Sequence, residues 1–190
     1  MFSQFISYSV VTAMSYYIAS FVQAYLHRQF GHRPVGGLLF SMHTGSHHTI
    51  YSGDRLVAGA YGIDEKSLSA VYALPALLVA LVAYMLLPLG LFITAAAALA
   101  LTFAAHVHVH TQYHLQDAWL ARFAWFRKKR ELHFIHHRNQ DANFAVLEFT
   151  WDRLMGTYIP LPRVNEARSS MGGALCPDSQ RRTQVGAAHT

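Results

Sequence analysis

The sequence predicts an all-α fold: an integral-membrane helical bundle of about three spans with a histidine-rich cap on its cytoplasmic side. Three observations predict it. Charged residues make up 13% of the 190 residues, about half the ~25% of an ordinary soluble protein. No Asp, Glu, Lys or Arg occurs in Met1–Gln23 or in Ser67–Gln116. Histidine numbers 13 against 10 for Asp and Glu together, and 12 of the 13 lie between His27 and His137.

The elements follow in chain order. Phe2–Leu26 is uncharged and apolar, and a helix of that length spans a hydrocarbon core of about 30 Å. It lacks the basic leader and the small-residue cleavage site of a secretory signal. Arg33–Lys66 reads as a partly helical cap segment with glycine-rich turns. Ser67–Ala105 covers 39 residues, too many for one span of roughly 20. Pro88 and Gly90 interrupt it, which predicts a tight hairpin, Leu68–Leu87 and Leu91–His110. Asp117–Phe126 reads as an interfacial helix anchored by Trp119, Phe123, Trp125 and Phe126. Leu132–Gly156 is helical in pieces. Arg163–Thr190 has no apolar period and reads as a disordered tail. The domain expectation is a membrane domain over 1–162 and a tail over 163–190.

Parity links these elements. One group of histidines follows the first span, and the later groups follow the third. A hairpin between them returns the chain to the same face, so one shared site is allowed. All 15 basic residues lie in Arg28–Lys66 and Arg122–Arg182, on the histidine side, and the positive-inside rule assigns that side to the cytoplasm. Basic blocks flanking long apolar stretches do not resemble the basic face of a nucleic-acid module, so no nucleic-acid partner is expected. The single cysteine, Cys176, excludes a disulfide framework or a cysteine metal site.

The histidines carry the chemistry. His27 and His32 form H-x4-H. His43, His47 and His48 form H-x3-H-H, His110 and His114 H-x3-H, and His133, His136 and His137 H-x2-H-H. Residues i and i+4 share a helix face. On that basis His43 pairs with His47, His110 with His114, and His133 with His136, while His48 and His137 turn about 100° away, toward a second ion or another side of the cluster. Ten imidazoles exceed the needs of one ion of four to six ligands, so a two-metal site is expected. Imidazole suits iron, zinc, copper and nickel. His106 extends the His110/His114 stripe and is a candidate for orienting a ligand, as are Asp117, Asn143 and Asp152. His108 and His189 are set aside. No H-E-x-x-H occurs, which disfavours a zinc protease.

The boxes resemble the fatty acid hydroxylase/sterol desaturase superfamily of integral-membrane di-iron oxygenases. So does the segment Asn143-Phe144-Ala145 followed by Trp151-Asp152-Arg153-Leu154-Met155-Gly156-Thr157-Tyr158. Ala145 stands where many members carry glycine, and the second box has one more residue before its histidine pair than many. The resemblance spans His27 to Tyr158. It implies that the ten boxed histidines hold two irons, with zinc able to replace them in a purified sample. It also implies an O2-dependent hydroxylation of an unactivated C–H bond in a lipid-like substrate of fatty acyl, sterol or carotenoid type. The chain has no nucleotide-binding glycine loop and no haem module, so a separate electron-transfer protein is expected. The alternatives are a lipid desaturase of the same chemistry and a non-catalytic membrane metal- or haem-binding protein. Four boxes rather than three favour the hydroxylase.

Overall fold

A computed structural model describes residues 2–62 and 73–162. The chain divides into two units, Met1–Ile159 and Pro160–Thr190. The expected disordered tail, Cys176 and His189 lie outside the described residues, as does the start of the second predicted span. Among the described residues the fold is helical, with one isolated backbone bridge between Ala58 and Leu115.

Helix α1 covers Phe2–Leu26 and runs directly into a π-helical turn, His27–Gly31. Arg33 is extended before Pro34 (φ −125°, ψ 140°), as the proline ring requires of its predecessor, and this ends the turn. A short 3-10 turn at Pro34–Gly36 leads through Leu38–Phe40 into a second π-helical stretch, Ser41–His47, and a last turn at His48–Ile50. A Cβ on Gly36 would lie 1.9 Å from the Phe30 carbonyl oxygen, so only glycine lets this loop close against the first π-turn. Gly36→Ala is therefore expected to displace the His27–His32 segment and to cost roughly 1–3 kcal/mol, read as a lower melting temperature together with lost metal.

Helices α2 (Ala73–Leu86) and α3 (Leu89–Tyr113) form the predicted hairpin. Its turn is tighter than expected, at Leu87 and Pro88 alone. Gly90 is not a breaker: it lies in the first turn of α3, where a Cβ would come 2.8 Å from the Tyr8 hydroxyl. Helix α3 packs along α1 on one side and α2 on the other. Both α1 and α3 end at the histidines, so the hairpin returns the chain to one common site.

α1 with its π-turn, and α3, are each long and apolar enough to cross a membrane. The described part of α2 is shorter, so the second expected span, Leu68–Leu87, is not shown. Phe5, Val10, Met14, Leu77, Ile93 and Leu101 are all exposed. A soluble bundle of this length would bury such residues; outward-facing apolar stripes on adjoining helices fit a lipid solvent.

The expected interfacial helix over Asp117–Phe126 is replaced by a 3-10 turn, Trp119–Arg122, an extended Phe123, and helix α4 (Ala124–Arg138). Packing causes the break. Ala118, Leu120 and Phe126 join Val109, Tyr113 and Val146 in one buried cluster, and their spacing cannot be met by a single helix. Trp119, Phe123 and Trp125 stay exposed, with the Arg122 guanidinium over the rings of Trp119 and Phe123. The basic run Arg127–Arg130 is partly structural. Arg130 donates to the carbonyls of Tyr113 and Leu115 at the end of α3, a favourable place for a cation. Arg127 donates to Ala121 and Arg122, and Lys129 to Leu147.

Helix α5 (Thr150–Leu154) closes the unit. Trp151 donates from Nε1 to Ser20 Oγ at 2.9 Å and packs on Phe21, fastening the end of the domain to α1. Gly156 follows in the left-handed region (φ 70°), the conformation that ends helices and that glycine adopts without penalty. This accounts for the glycine in the Asp152–Tyr158 ending.

Candidate metal centre

The ten boxed histidines gather into two groups of five. One contains His27, His32, His43, His48 and His136, and the other His47, His110, His114, His133 and His137; within each, the candidate ligand atoms all lie within 4.8 Å of one another. Nine of the ten are buried and His32 is half-buried. Each group draws on three or more separate segments, so neither forms without the tertiary fold.

The membership corrects the pairing expected from α-helical spacing. His43 and His47 separate into different groups, and His43 joins His48 instead. The local backbone differs from the expected one: Ser41–His47 is π-helical, hydrogen-bonded i to i+5, and the His48 N–H donates to the His43 carbonyl, so the α-helical face rule does not apply to this box. The same holds for His27 and His32, five apart across the first π-turn. On α4, which is α-helical, His133 aligns with His137 and not with His136. His110 and His114 share a group as expected.

Four imidazoles are held by backbone carbonyls. The Nδ1 atoms of His27, His114, His136 and His137 lie 2.6, 2.9, 2.8 and 2.8 Å from the carbonyl oxygens of Phe144, Leu56, Ala142 and Tyr51. A carbonyl only accepts, so Nδ1 carries the proton and Nε2 is left as the ligand lone pair. The Nε2 atoms then face one another. His27 and His43 are 2.6 Å apart, His32 and His136 3.1 Å, His114 and His133 3.0 Å, and His137 and His133 3.1 Å. Lone pairs converging in this way repel unless a cation lies among them. Two nitrogens each about 2.1 Å from one ion and at a right angle sit about 3.0 Å apart. The donor set therefore fits a metal in each group, and five nitrogens exceed the four of a tetrahedral structural zinc.

Burial also keeps the ligands neutral. It lowers the pKa of His137 to about 4 and that of His32 to about 2, with the neighbouring His27 adding to the effect at His32. His43, His47, His114, His133 and His136 are likewise held well below the ordinary range by burial and then by adjacent imidazoles. The folded chain thus binds fewer protons than the unfolded chain below the ordinary histidine pKa of about 6.5. After the metal is stripped by chelation, stability should be full above about pH 6.5 and decline as the pH falls toward 4. Urea titrations across that interval check this; a flat profile would contradict it.

The four predicted supporting residues fare differently. Asp152 is fully buried and accepts from the Phe144 and Ala145 amides at 2.8 and 2.9 Å and from Thr157 Oγ1 at 2.8 Å. Burial raises its pKa, opposed by these hydrogen bonds. Asn143, at φ 55°, donates to the carbonyls of Leu132 and Ile159 and accepts from the Ile159 amide. Neither touches an imidazole. Together they fix the loop 142–145, whose carbonyls orient His136 and His27. His106 lies outside both groups, one turn below His110, with ring centroids 6.1 Å apart. Asp117 is exposed at the surface and does not join the site. Sequence reading did not find Tyr51, which is buried, stacks on His114 at 4.0 Å and supplies the carbonyl for His137. Its position three residues after the His47–His48 pair was the available signal.

Fold and site define a class: a helical protein whose long apolar helices end in two buried five-imidazole groups able to hold metal. The chain belongs to the fatty acid hydroxylase family, whose model matches residues 12–157. No curated protein and no solved structure matches it significantly. Membership implies an oxidoreductase of the lipid hydroxylase and desaturase type, and with the two apolar helices it suggests a membrane protein.

Proposed function

We propose that the protein is a multi-pass membrane di-iron oxygenase that hydroxylates an unactivated C–H bond of a lipid-like substrate. The observation that carries this is the division of ten histidines into two adjoining groups of five, in a chain of this family. His27, His32, His43, His48 and His136 would hold one iron, and His47, His110, His114, His133 and His137 the other. A reduced iron pair supplies the activation of dioxygen and the oxidation of the C–H bond. In the overall reaction one oxygen atom enters the new alcohol and the other leaves as water, using two protons and two electrons from a separate electron-transfer protein.

The chain's own residues do the positioning. The carbonyls of Tyr51, Leu56, Ala142 and Phe144 fix four imidazoles in one tautomer. Asp152 and Asn143 hold the loop that carries two of those carbonyls. A three-span topology with the site on the cytoplasmic face is the reading that the charge distribution supports, and residues 1–162 form the catalytic domain. A haem is disfavoured because its iron takes only two axial imidazoles, whereas each group converges five imidazoles from all sides and would leave three of them in the space the macrocycle needs. Metal analysis of protein purified from iron-replete cells tests the reading: about two irons per chain are expected from ten imidazole ligands, zinc being a replacement under iron starvation. A chain that takes up one ion at saturation would contradict it.

A further inference from the structure

The two metal groups take their support from different parts of the chain. In the first, His136 and His27 meet the carbonyls of Ala142 and Phe144, both in the loop that Asp152 and Asn143 fix. In the second, His137 meets the carbonyl of Tyr51, and His114 that of Leu56. These two carbonyls belong to one stretch, residues 51–61. It turns at Ser52–Arg55, where the Arg55 N–H donates to the Ser52 carbonyl at 3.0 Å. It is then fastened to the end of α3. The Ala58 N–H donates to the His114 carbonyl, and the Ala58 carbonyl accepts from the Gln116 N–H, both at 2.9 Å.

The same stretch ends at Tyr61, which is half-buried and places its hydroxyl oxygen 3.4 Å from Nδ1 of His110. Stacking holds the phenol ring there. Tyr61 lies nearly parallel to Tyr51, with centroids 6.0 Å and planes 15° apart. Tyr51 in turn lies on the His114 ring at 4.0 Å and 21°. The Tyr61 ring also comes within 6.3 Å of both His114 and His110. His110, His114 and His137 all belong to the second group, and His27 and His136 to the first.

We propose that Tyr61 is a positioning residue for His110, and that residues 51–61 are a clamp dedicated to the second metal group. A His110 that ligates through Nε2 carries its proton on Nδ1, so the Tyr61 oxygen accepts that N–H. It does for His110 what the carbonyls of Leu56 and Tyr51 do for His114 and His137. An acceptor of this kind fixes the tautomer and the ring plane and makes Nε2 a stronger donor to a metal. One segment thereby orients three of the five histidines of the second group, while the 142–145 loop serves the first. The two ions rest on separate supports, and either can be weakened without the other. This inference rests on the reading of two metal-holding groups, and its test needs no turnover.

The test loads the full chain with iron(II) in nanodiscs without oxygen and titrates it with a competing chelator. Tyr61→Phe keeps the ring stack and removes only the acceptor. It should weaken one of the two ions about tenfold, the low end for a lost supporting contact because this one is long. The other ion and the thermal unfolding of the metal-free chain should not change. His43→Ala and His47→Ala identify which ion is affected. In His43→Ala, which keeps the ion of the second group, adding Tyr61→Phe should weaken that ion by the same factor. In His47→Ala, which keeps the ion of the first group, it should change nothing. Wild-type affinity for both ions in Tyr61→Phe, the result if Tyr61 only packs, would overturn the proposal. So would equal weakening of both ions, or an effect in the His47→Ala background. A wild-type chain that holds two ions with no Tyr61→Phe effect defeats this inference alone; one that shows the selective effect but forms no oxygenated lipid defeats the oxygenase reading alone.

Discussion

His43→Ala and His47→Ala are each expected to abolish product formation, and each to remove a different ion. Metal content should fall by roughly half in either single variant, since each group loses one of five ligands in a buried site that cannot recruit another. Activity should fall at least 100-fold, because changes that only disturb a ligand's orientation already cost 10–100-fold. The double variant discriminates between two geometries. If the two histidines shared an ion, as α-helical spacing alone would have it, the double variant would keep the second ion. The π-helical Ser41–His47 segment sends them to different groups, so the double variant should bind neither. Metal analysis of the three variants, with circular dichroism to confirm helicity, checks this.

Asp152→Asn is the second large effect, although Asp152 touches no ligand. Its carboxylate accepts three hydrogen bonds in a fully buried position. The asparagine amide has one acceptor oxygen and would turn an N–H toward a backbone N–H. With hydrogen bonds to a charged acceptor worth about 1.5–3 kcal/mol each and unsatisfied donors left behind, a loss of roughly 2–4 kcal/mol is expected. The loop 142–145 would loosen, and with it the carbonyls that hold His27 and His136. The group containing those two histidines should therefore lose metal affinity before the other. Stepwise chelation of the variant, showing one weakened ion and one of wild-type affinity, would bear this out; two ions weakened equally would contradict it.

Much of this was legible in the sequence, and the rest was hidden for identifiable reasons. All ten clustered histidines were visible because close spacing survives any helical geometry. Their grouping was not, because the choice between an α- and a π-helical turn at His27–Gly31 and Ser41–His47 is made by tertiary packing. The helical hairpin was readable from Pro88. Gly90 was misread as a second breaker when its role is close contact with Tyr8. Asp152 was visible as a buried-motif carboxylate, but the carbonyls of Tyr51, Leu56, Ala142 and Phe144 carry no side-chain signature. Asp117 had the right sequence proximity and the wrong side of the fold. The amphipathic look of Asp117–Phe126 lost to the buried cluster around Tyr113 and Phe126.

The central claim is that these histidines make the chain an oxygenase acting on lipid. Its most direct test is to grow cells expressing the wild-type chain or His136→Ala under isotopically heavy dioxygen and to analyse their lipid extracts by mass spectrometry without preselecting a product. The account predicts a lipid in the wild-type extract that carries one heavy oxygen atom and is missing from the His136→Ala extract. Iron-loaded wild-type protein that yields no labelled lipid, or the same labelled lipid in both extracts, would contradict it.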